Sequence, residues 1–516
     1  MLELAGMAVV ALLPIIWLVI ALTGLKLEAW LASLGSLVVA VVVSFAVWHM
    51  TPINIGTAAL EGFAMALWPI VVVIIAAVFT YNLTVHTGAM ETIKAMLTSV
   101  SSDRRVLTLL IAWCFGNFME GMAGFGTAVA IPASMLLALG VDPITSILVC
   151  LIANGTPTMF GSVGIPTTTL AAITGIDVLD LSFTQALQVF PFVVVCPILM
   201  VMVVGGGTKA LKGMLPIALV AGLSFAIPEL FVARFVGAEL ADVAGAVASL
   251  LCTFVFATRM KGKPVPEEYR LEVPQQKKLT VDVGGALIAW SPFILIFVVL
   301  LATSKMVTPV YTFLSQFKTT VNIYAGDPDA TLTFTWVNTP GVLIFICGVL
   351  GGLVQGASIG EMMQVLGATV KQMAKTIVTM LGVLGVAKIM TYSGMIASIA
   401  AFFVGALGSL YPLVSPLLGA LGTFVTGSGT SSEVLFGNVQ QNAAASIGAN
   451  DTWLVAANSL GVSAGKMISP QNIAIGCAAC ALTGKDGEIM GKIAPYAGVF
   501  LVLMAAEVYL GVMLGL

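Results

Sequence analysis

Long apolar stretches, separated by short polar intervals, make up most of this chain. Apolar runs of about 20 residues recur from one end to the other, for example at 5–23, 31–48, 211–231, 240–258 and 493–512. As a helix, each run is long enough to cross a hydrocarbon core of about 30 Å. The pattern predicts an all-α polytopic membrane protein with about twelve to fourteen transmembrane segments.

Composition agrees with this prediction and narrows the class of protein. Of the 516 residues, 59% are hydrophobic and 9% are charged, whereas a soluble protein carries about 25% charged residues. The net charge is −3 and the basic residues are scattered, which argues against a nucleic-acid surface. A single CxxC, Cys477 and Cys480, is interpreted as two buried small residues rather than a metal or redox pair. We expect membrane lipids around the protein and neither a metal nor a cofactor within it.

The basic residues predict the orientation of the chain in the membrane. Their richest cluster is Arg259, Lys261, Lys263, Arg270, Lys277 and Lys278. Residues 259–282 are therefore expected to form a cytoplasmic linker between an N-terminal transmembrane half, 1–258, and a C-terminal half, 283–516. Counting outward from this linker places the polar segment 303–339 and both termini outside.

The two halves show the same features in the same order. HTGAMETI at 86–93 aligns with YSGMIASI at 392–399, and nearly the same shift pairs Gly121 with Gly427 and Asn154 with Asn458. The basic residues place the first copy at the cytoplasmic side and the second outside. The sequence thus predicts inverted repeats, in which the substrate lies near the midplane between interrupted helices. Broken or re-entrant helices are expected at about 106–175 and about 412–483.

The segment NFMEGMAGFGTAVAIP, 117–132, places a carboxylate beside three glycines. Gly121, Gly124 and Gly126 permit a helix break, and backbone exposed at this depth must be buried in protein or line a watery cavity. Helix ends at such a break attract anions. Glu120 is then expected to carry a proton or to pair with a buried cation. The alternative is close helix packing through small residues.

Three further segments interrupt apolar sequence in a similar way. GTFVTGSGTSSEVLFGN, 422–438, combines hydroxyl groups with Glu433, which suits a carboxylate or a cation, although such hydroxyls also bond their own backbone. IANGTPTMFGSVGIPTTT, 152–169, and AANSLGVSAGKMISPQN, 456–472, join Asn to Gly and Pro. These two segments predict a second pair of interrupted helices.

Three isolated basic groups are also candidates. Lys466 lies far from any polar loop, so it needs an acid or an anionic substrate as partner unless its chain reaches the membrane surface. Lys388, in LGVAKIMTYSG, likewise needs either a charged partner or access to the membrane surface, and it is expected to lie nearer a membrane boundary. His86 could relay protons near neutral pH, or it could be an ordinary boundary residue.

NFMEGMAGFGTAVAIP, TGSGTSSEVLFGN and SAGKMISPQNIAIG together resemble the bacterial lactate permease family, and the similarity covers nearly the whole chain. The resemblance implies transport of L-lactate, D-lactate and glycolate with protons across the bacterial inner membrane. The family is grouped with anion transporters that have inverted repeats. Some of those transporters are dimers with elevator motion, which implies a homodimer here by analogy alone.

Carried onto this chain, the motifs give two sets of site residues. The expected substrate-binding residues are Asn117, Gly121, Gly124, Gly126, Asn154, Ser428, Thr430, Ser431, Ser432, Asn458, Lys466, Ser469 and Gln471. The expected proton-coupling groups are Glu120, Glu433, His86 and Lys388. Family members often have GFGTPVAI and TGSDTSSN where this chain has GFGTAVAI and TGSGTSSE. An acidic group thereby moves from position 429 to 433, about one helical turn, so Glu120 and Glu433 both stay candidates.

The function predicted from the sequence is proton-coupled symport of small 2-hydroxy monocarboxylates through a multi-pass protein of the bacterial inner membrane. A sodium-coupled carboxylate transporter of the same architecture is the first alternative, because amide, hydroxyl and carbonyl oxygens also suit Na⁺. An intramembrane enzyme is opposed by two histidines far apart in sequence and by the lack of a zinc motif. A channel is disfavoured by the broken helices.

Overall fold

The computed structural model describes residues 2–124, 126–260, 264–271, 282–482 and 485–516. Within them, nine helices are long and apolar enough to cross a membrane, or eleven if each of two bent pairs is one span. Two further apolar helices, Thr127–Ala138 and Pro340–Val354, are shorter. These shorter helices and the broken segments account for the difference from the predicted twelve to fourteen. The all-α polytopic fold with broken helices is confirmed.

The first helices form a wall of the site. They are α1 (Leu2–Ala11), α2 (Leu13–Val19), α3 (Ala29–Ala46), α4 (Pro52–Met65) and α5 (Val72–His86). A π-helical turn, Ala66–Val71, joins α4 to α5 across a kink at Trp68, whose backbone is not helical. The apolar segment extends from Pro52 to His86. The Thr51 side chain caps α4, and Pro52 occupies its first turn, where a missing N–H costs nothing.

The next helices contain the first set of breaks. They are α6 (Ala89–Thr98), α7 (Arg104–Thr108), α8 (Gly116–Met122), α9 (Thr127–Ala138), α10 (Pro143–Asn154) and α11 (Gly161–Thr174). A π-helical segment, Leu109–Phe115, joins α7 to α8. Helices α8 and α9 pack against each other, so the chain reverses in the intervening break. The axis bends by 68° between Pro143–Asn154 and Thr158–Thr174.

The middle of the chain supplies continuous helices and an exposed hairpin. Its helices are α12 (Val178–Gly205), α13 (Leu215–Phe235), α14 (Ala238–Arg259), α15 (Val283–Thr303), α16 (Thr308–Leu314), α17 (Pro340–Val354) and α18 (Ile359–Ser393). Strands β1 (Lys318–Asn322) and β2 (Thr331–Thr335) pair antiparallel, Lys318 opposite Thr335. A Ser358–Glu361 capping box begins α18.

The last helices contain the second set of breaks. They are α19 (Met395–Leu407), α20 (Tyr411–Thr426), α21 (Gly429–Ile447), α22 (Asp451–Ile468), α23 (Pro470–Ala479) and α24 (Asp486–Met513). Helices α20 and α21 pack against each other, so the chain reverses at the break between them. Short 3₁₀ turns lie at Thr158–Phe160, Thr208–Leu211, Glu267–Tyr269 and Gly408–Leu410.

Part of the predicted linker docks on the loop before α7. Lys261, Lys263, Lys277 and Lys278 lie outside the described residues. Arg270 forms an antiparallel bridge with Asp103. The Arg105 guanidinium lies 3.9 Å from the centroid of the Tyr269 ring and donates to the Asp103 carboxylate at 2.7 Å. This buried contact ties the linker to the first half.

The two sequence halves interleave in the fold. Helix α18 packs on α3 and α4, and α17 packs on α5. Helix α11 packs on α21, and α12 packs on α22. The broken helices of both halves are thereby brought together, and α18 lies across them.

Candidate functional site

A cavity lies between the broken helices and a wall formed by α2, α3 and α18; its empty space, including the part that is open to solvent, is about 910 Å³. The wall contributes the apolar side chains of Leu18, Ala29 and Met380, together with the hydroxyls of Ser33, Thr376 and Thr379. The broken helices supply the other polar groups. These are Glu120, Thr158, Ser162, Thr426, Ser428, Thr430, Ser431, Lys466, Gln471 and Asn472.

One buried cation and one buried carboxylate face each other in this cavity. The Lys466 ammonium lies 3.9 Å from Oε1 of Glu120, and both side chains are at least nine-tenths buried. The Asn154 amide donates to the other carboxylate oxygen of Glu120 at 2.7 Å. Among the described residues, no acceptor forms a hydrogen bond with the Lys466 ammonium. A positive charge is therefore held at the cavity with its donors free for a ligand.

The backbone at Gly161 fixes the position of Glu120. A methyl group placed on Gly161 would lie 2.6 Å from Oε1 of Glu120, closer than packed atoms allow. The next residues, from Ser162 to Gly164, have positive φ, which breaks α11 beside the cavity. The Ser162 hydroxyl donates to the Ala123 carbonyl at 3.1 Å and so joins this break to the one between α8 and α9.

A similar contact joins the breaks of the second half. Gly427 ends α20 with φ +70°, and a methyl group there would lie 2.1 Å from Oε1 of Gln471. Ser428 caps α21 by accepting from the Ser431 N–H at 3.2 Å. The Asn472 amide donates to the Lys466 carbonyl at 3.2 Å, which holds the start of α23 against the end of α22.

Four helices begin beside the cavity. The residues that line it include Gly126 before α9, the first helical turn of α11 after Gly164, Ser428 before α21, and Gln471 in the first turn of α23. The first N–H groups of a helix have no intrahelical acceptor, and the helix dipole is positive at that end. Four such ends and the Lys466 ammonium make the cavity a site for an anion.

A second Glu–Asn pair lies away from the cavity. Glu433 is fully buried on α21, and the Asn458 amide donates to it at 2.8 Å. The neighbouring Ser432 hydroxyl donates to the Gly419 carbonyl at 2.7 Å. Thus Glu120 and Glu433 each bond one of the two asparagines that the repeat pairs, but only Glu120 reaches the cavity.

The other predicted substrate-binding residues lie close behind the cavity lining. Gly124 has φ +60°, and a methyl group on it would overlap the Ser162 hydroxyl. Ser469 forms the buried junction between α22 and α23. Gly121 on α8 faces α14, where a methyl group on it would lie 3.0 Å from Asp242. Asn117, on the same helix, is fully buried and is not among the residues that line the cavity.

Two of the predicted proton-coupling groups, His86 and Lys388, lie outside the cavity. His86 is 44% exposed at the end of α5, with its Nε2 3.8 Å from the carboxylate of Glu361. The Lys388 ammonium lies 2.7 Å from Glu61, which also accepts from the Tyr392 hydroxyl at 2.9 Å. Neither side chain is among those that line the cavity.

The sequence reasoning missed several polar residues that the structure places at or near the site. Thr158, Ser162 and Asn472 line the cavity and belong to segments that were identified as broken. Glu229 and Asp242 are 1% exposed on α13 and α14. Both acids interrupt apolar runs, and intramembrane acids are rare enough that this signal could have found them.

The fold and this cavity define a multi-pass α-helical membrane protein with a polar site between broken helices. The family model of L-lactate permease matches residues 7–515. The L-lactate permease of Streptococcus iniae is 40% identical over 455 residues, which cover 87% of this chain and 93% of that protein. Glycolate permease GlcA of Escherichia coli K12 is 34% identical over 556 residues, covering 98% and 97%. The L-lactate permease of the same strain is 34% identical, covering 93% and 91%.

The chain belongs to the L-lactate permease family. This confirms the resemblance found in its motifs. The permease names of the family and its members indicate a transporter, and the protein lies in the bacterial cell (inner) membrane as a multi-pass protein.

Proposed function

We propose that the protein is a proton-coupled symporter of L-lactate and related small 2-hydroxy monocarboxylates, including D-lactate and glycolate. Its relatives are named for lactate and glycolate, which share a carboxylate and an adjacent hydroxyl group. The observation that carries the proposal is the convergence of four helix starts and the Lys466 ammonium on one cavity.

In this proposal, the substrate carboxylate accepts hydrogen bonds from Lys466 and from the first N–H groups of α21. The substrate hydroxyl bonds the side chain of Gln471 or the hydroxyl of Thr158, both of which line the cavity. The methyl group of lactate packs on the apolar side chains of the wall near Met380. Glycolate lacks that methyl group and keeps the polar contacts, so the same site accommodates both.

Coupling follows from the competition of two carboxylates for one ammonium. Ionised Glu120 neutralises Lys466 across 3.9 Å. When Glu120 binds a proton, Lys466 needs another anion, because an unpaired charge is costly at this depth. The lactate carboxylate supplies that anion, so proton and substrate bind together. One lactate anion and one proton carry no net charge, and transport follows the pH gradient.

We also propose that the two sets of broken helices are inverted repeats. In the first half, Ser162 contacts the break near Gly124, and in the second half Gln471 contacts the break at Gly427. Helix pairs α8–α9 and α20–α21 both reverse direction beside the cavity. The cytoplasmic placement of 259–282 and the homodimer stay predictions.

The test is uptake of labelled L-lactate by proteoliposomes under an inward proton gradient, with and without sodium. We expect accumulation from the pH step alone. In the Glu120→Gln variant, we expect proton-driven accumulation to disappear while lactate counterflow, which needs no net proton movement, continues. The Glu507→Gln variant in α24 is the matched control and keeps both activities. Accumulation only with sodium, or unchanged pH-driven accumulation by Glu120→Gln, would refute the proposed coupling.

A further inference from the structure

Two acidic side chains lie buried beside the site without taking part in the cavity. Asp242 on α14 and Glu229 on α13 are each 1% exposed. Both carboxyl oxygens of Asp242 and one of Glu229 have no hydrogen-bond partner among the described residues. An isolated ionised carboxylate is very costly in an apolar interior. These groups are therefore suited to hold protons.

The helix that carries Glu120 presents one face to α14. At one end of the contact, the Cys114 thiol lies 3.4 Å from the Ser249 hydroxyl. At the other end, a methyl group on Gly121 would lie 3.0 Å from Oδ2 of Asp242. Residues three and four apart share a helix face. Asn117 lies three residues after Cys114 and four before Gly121, on the stretch of helix between these two contacts with α14.

The unpaired amide of Asn117 is independent evidence that a polar group or molecule binds at this contact. The side chain is fully buried, and neither its amide nitrogen nor its amide oxygen has a partner within the part of the chain that the structure describes. Buried polar groups are nearly always hydrogen-bonded, and an amide can both donate and accept. A protonated carboxyl group or a water molecule can both accept from the amide nitrogen and donate to the amide oxygen.

The acids form a series that reaches the cavity. The charges of Glu229 and Glu120 both act on Asp242. Glu120 follows Asn117 by one turn on α8 and lines the cavity. On the other side, Glu239 lies one turn before Asp242 in the first turn of α14 and is of intermediate exposure to solvent. The charge of Lys305 acts on it. Helices α11 and α15, which also pack on α14, carry no charged residue.

We infer that Glu239, Asp242 and Asn117 form a proton route to Glu120 that is separate from the path of the substrate. With 259–282 in the cytoplasm, α14 begins outside, so Glu239 receives protons from the external medium. The O–H of the Asp242 carboxyl group donates its proton toward the Glu120 carboxylate, and Asp242 regains a proton from Glu239. Asn117 offers an unpaired buried amide on the helix that carries Glu120, and Glu229 is a second proton-holding group near Asp242. This inference rests on the proposed proton symport.

The experiment compares Asp242→Asn with wild type in proteoliposomes containing an internal pH indicator. We expect the rate of proton-driven lactate uptake and of lactate-induced internal acidification to fall about a hundredfold, as when a positioned proton-transfer group is removed. Lactate counterflow should continue, because the cavity and Lys466 are untouched. Glu507→Gln, a glutamate on α24, is the matched control and should couple normally.

The outcomes separate the two proposals. Normal acidification by Asp242→Asn would overturn the proton route and leave proton symport standing. Lactate uptake by wild type without acidification would show that proton symport itself is wrong. Sodium-dependent uptake that Asp242→Asn abolishes would overturn the route in favour of a sodium site. If Asp242→Asn is not recovered as folded protein, Glu239→Gln at the partly exposed end serves instead, and unchanged proton-driven uptake by that variant overturns the inference.

Discussion

Replacement of Lys466 by Met tests the central feature of the site, the buried ammonium. Methionine keeps much of the apolar length of lysine and removes its charge. We expect weaker substrate binding, because the lactate carboxylate loses its only cationic partner among the described cavity-lining residues. We also expect lower stability, because Glu120 loses the charge that lies 3.9 Å away.

The size of the effect follows from this distance. Two unit charges about 4 Å apart interact by about 4 kcal/mol at an effective dielectric constant of about 20. Truncating one partner of a buried charged pair commonly costs about 2 to 5 kcal/mol. A loss of about 2 to 4 kcal/mol in substrate binding corresponds to a Kd raised about 30-fold to 1,000-fold. A cation at a membrane boundary, well exposed to water, would give a much smaller change.

The assay is equilibrium binding of labelled L-lactate to purified protein, with the Tm of each variant measured in parallel. The double variant Lys466→Met with Glu120→Gln should have a higher Tm than Lys466→Met alone, because the unpaired carboxylate is gone. A change in Kd below about threefold for Lys466→Met, which is less than 1 kcal/mol, would show that the ammonium does not bind substrate. Additive Tm changes would show that Lys466 and Glu120 do not interact.

Two further predictions concern packing around the site. Gly161→Ala should strongly impair uptake, because its methyl group would lie 2.6 Å from Glu120, whereas Gly498→Ala, which meets no atom within 4 Å, should transport normally; equal uptake by the two variants would contradict the described position of Glu120. Glu61→Gln should lower the free energy of unfolding by about 3 kcal/mol or more, seen as a lower Tm. The Lys388 ammonium, which lies 2.7 Å from the Glu61 carboxylate, would be left without its charged partner. Adding Lys388→Met should recover part of that loss, and no recovery would mean that the ion pair is not what stabilises this contact.

The positions of the breaks could be predicted because they depend on local chemistry. Glycine at 124, 126 and 427 adopts positive φ in the structure, as the sequence motifs suggested. The importance of Lys466 could also be predicted, since a lysine in apolar sequence needs a partner. The identity of that partner could not be predicted from the sequence. Glu120 and Lys466 lie on helices that meet only when the two halves interleave.

The sequence could not distinguish the roles of Glu120 and Glu433. Both sit beside glycine or serine motifs, and both accept a hydrogen bond from an asparagine. The two glutamates differ in their position relative to the helix breaks. Glu120 ends the helix before its break and reaches the cavity, whereas Glu433 follows its break by one turn and points into the contact of α21 with α22.

By itself, the sequence determined the membrane class, the family and the location of the interrupted helices. Hydrocarbon thickness sets the length of each apolar run, and backbone that leaves a helix at that depth requires permissive residues. Only the tertiary structure decided which polar groups meet. In the structure, Lys388 pairs with Glu61 and Lys466 pairs with Glu120. Asp242 packs against the helix that carries Glu120. These pairings depend on how helices distant in sequence pack, and no local pattern encodes that geometry.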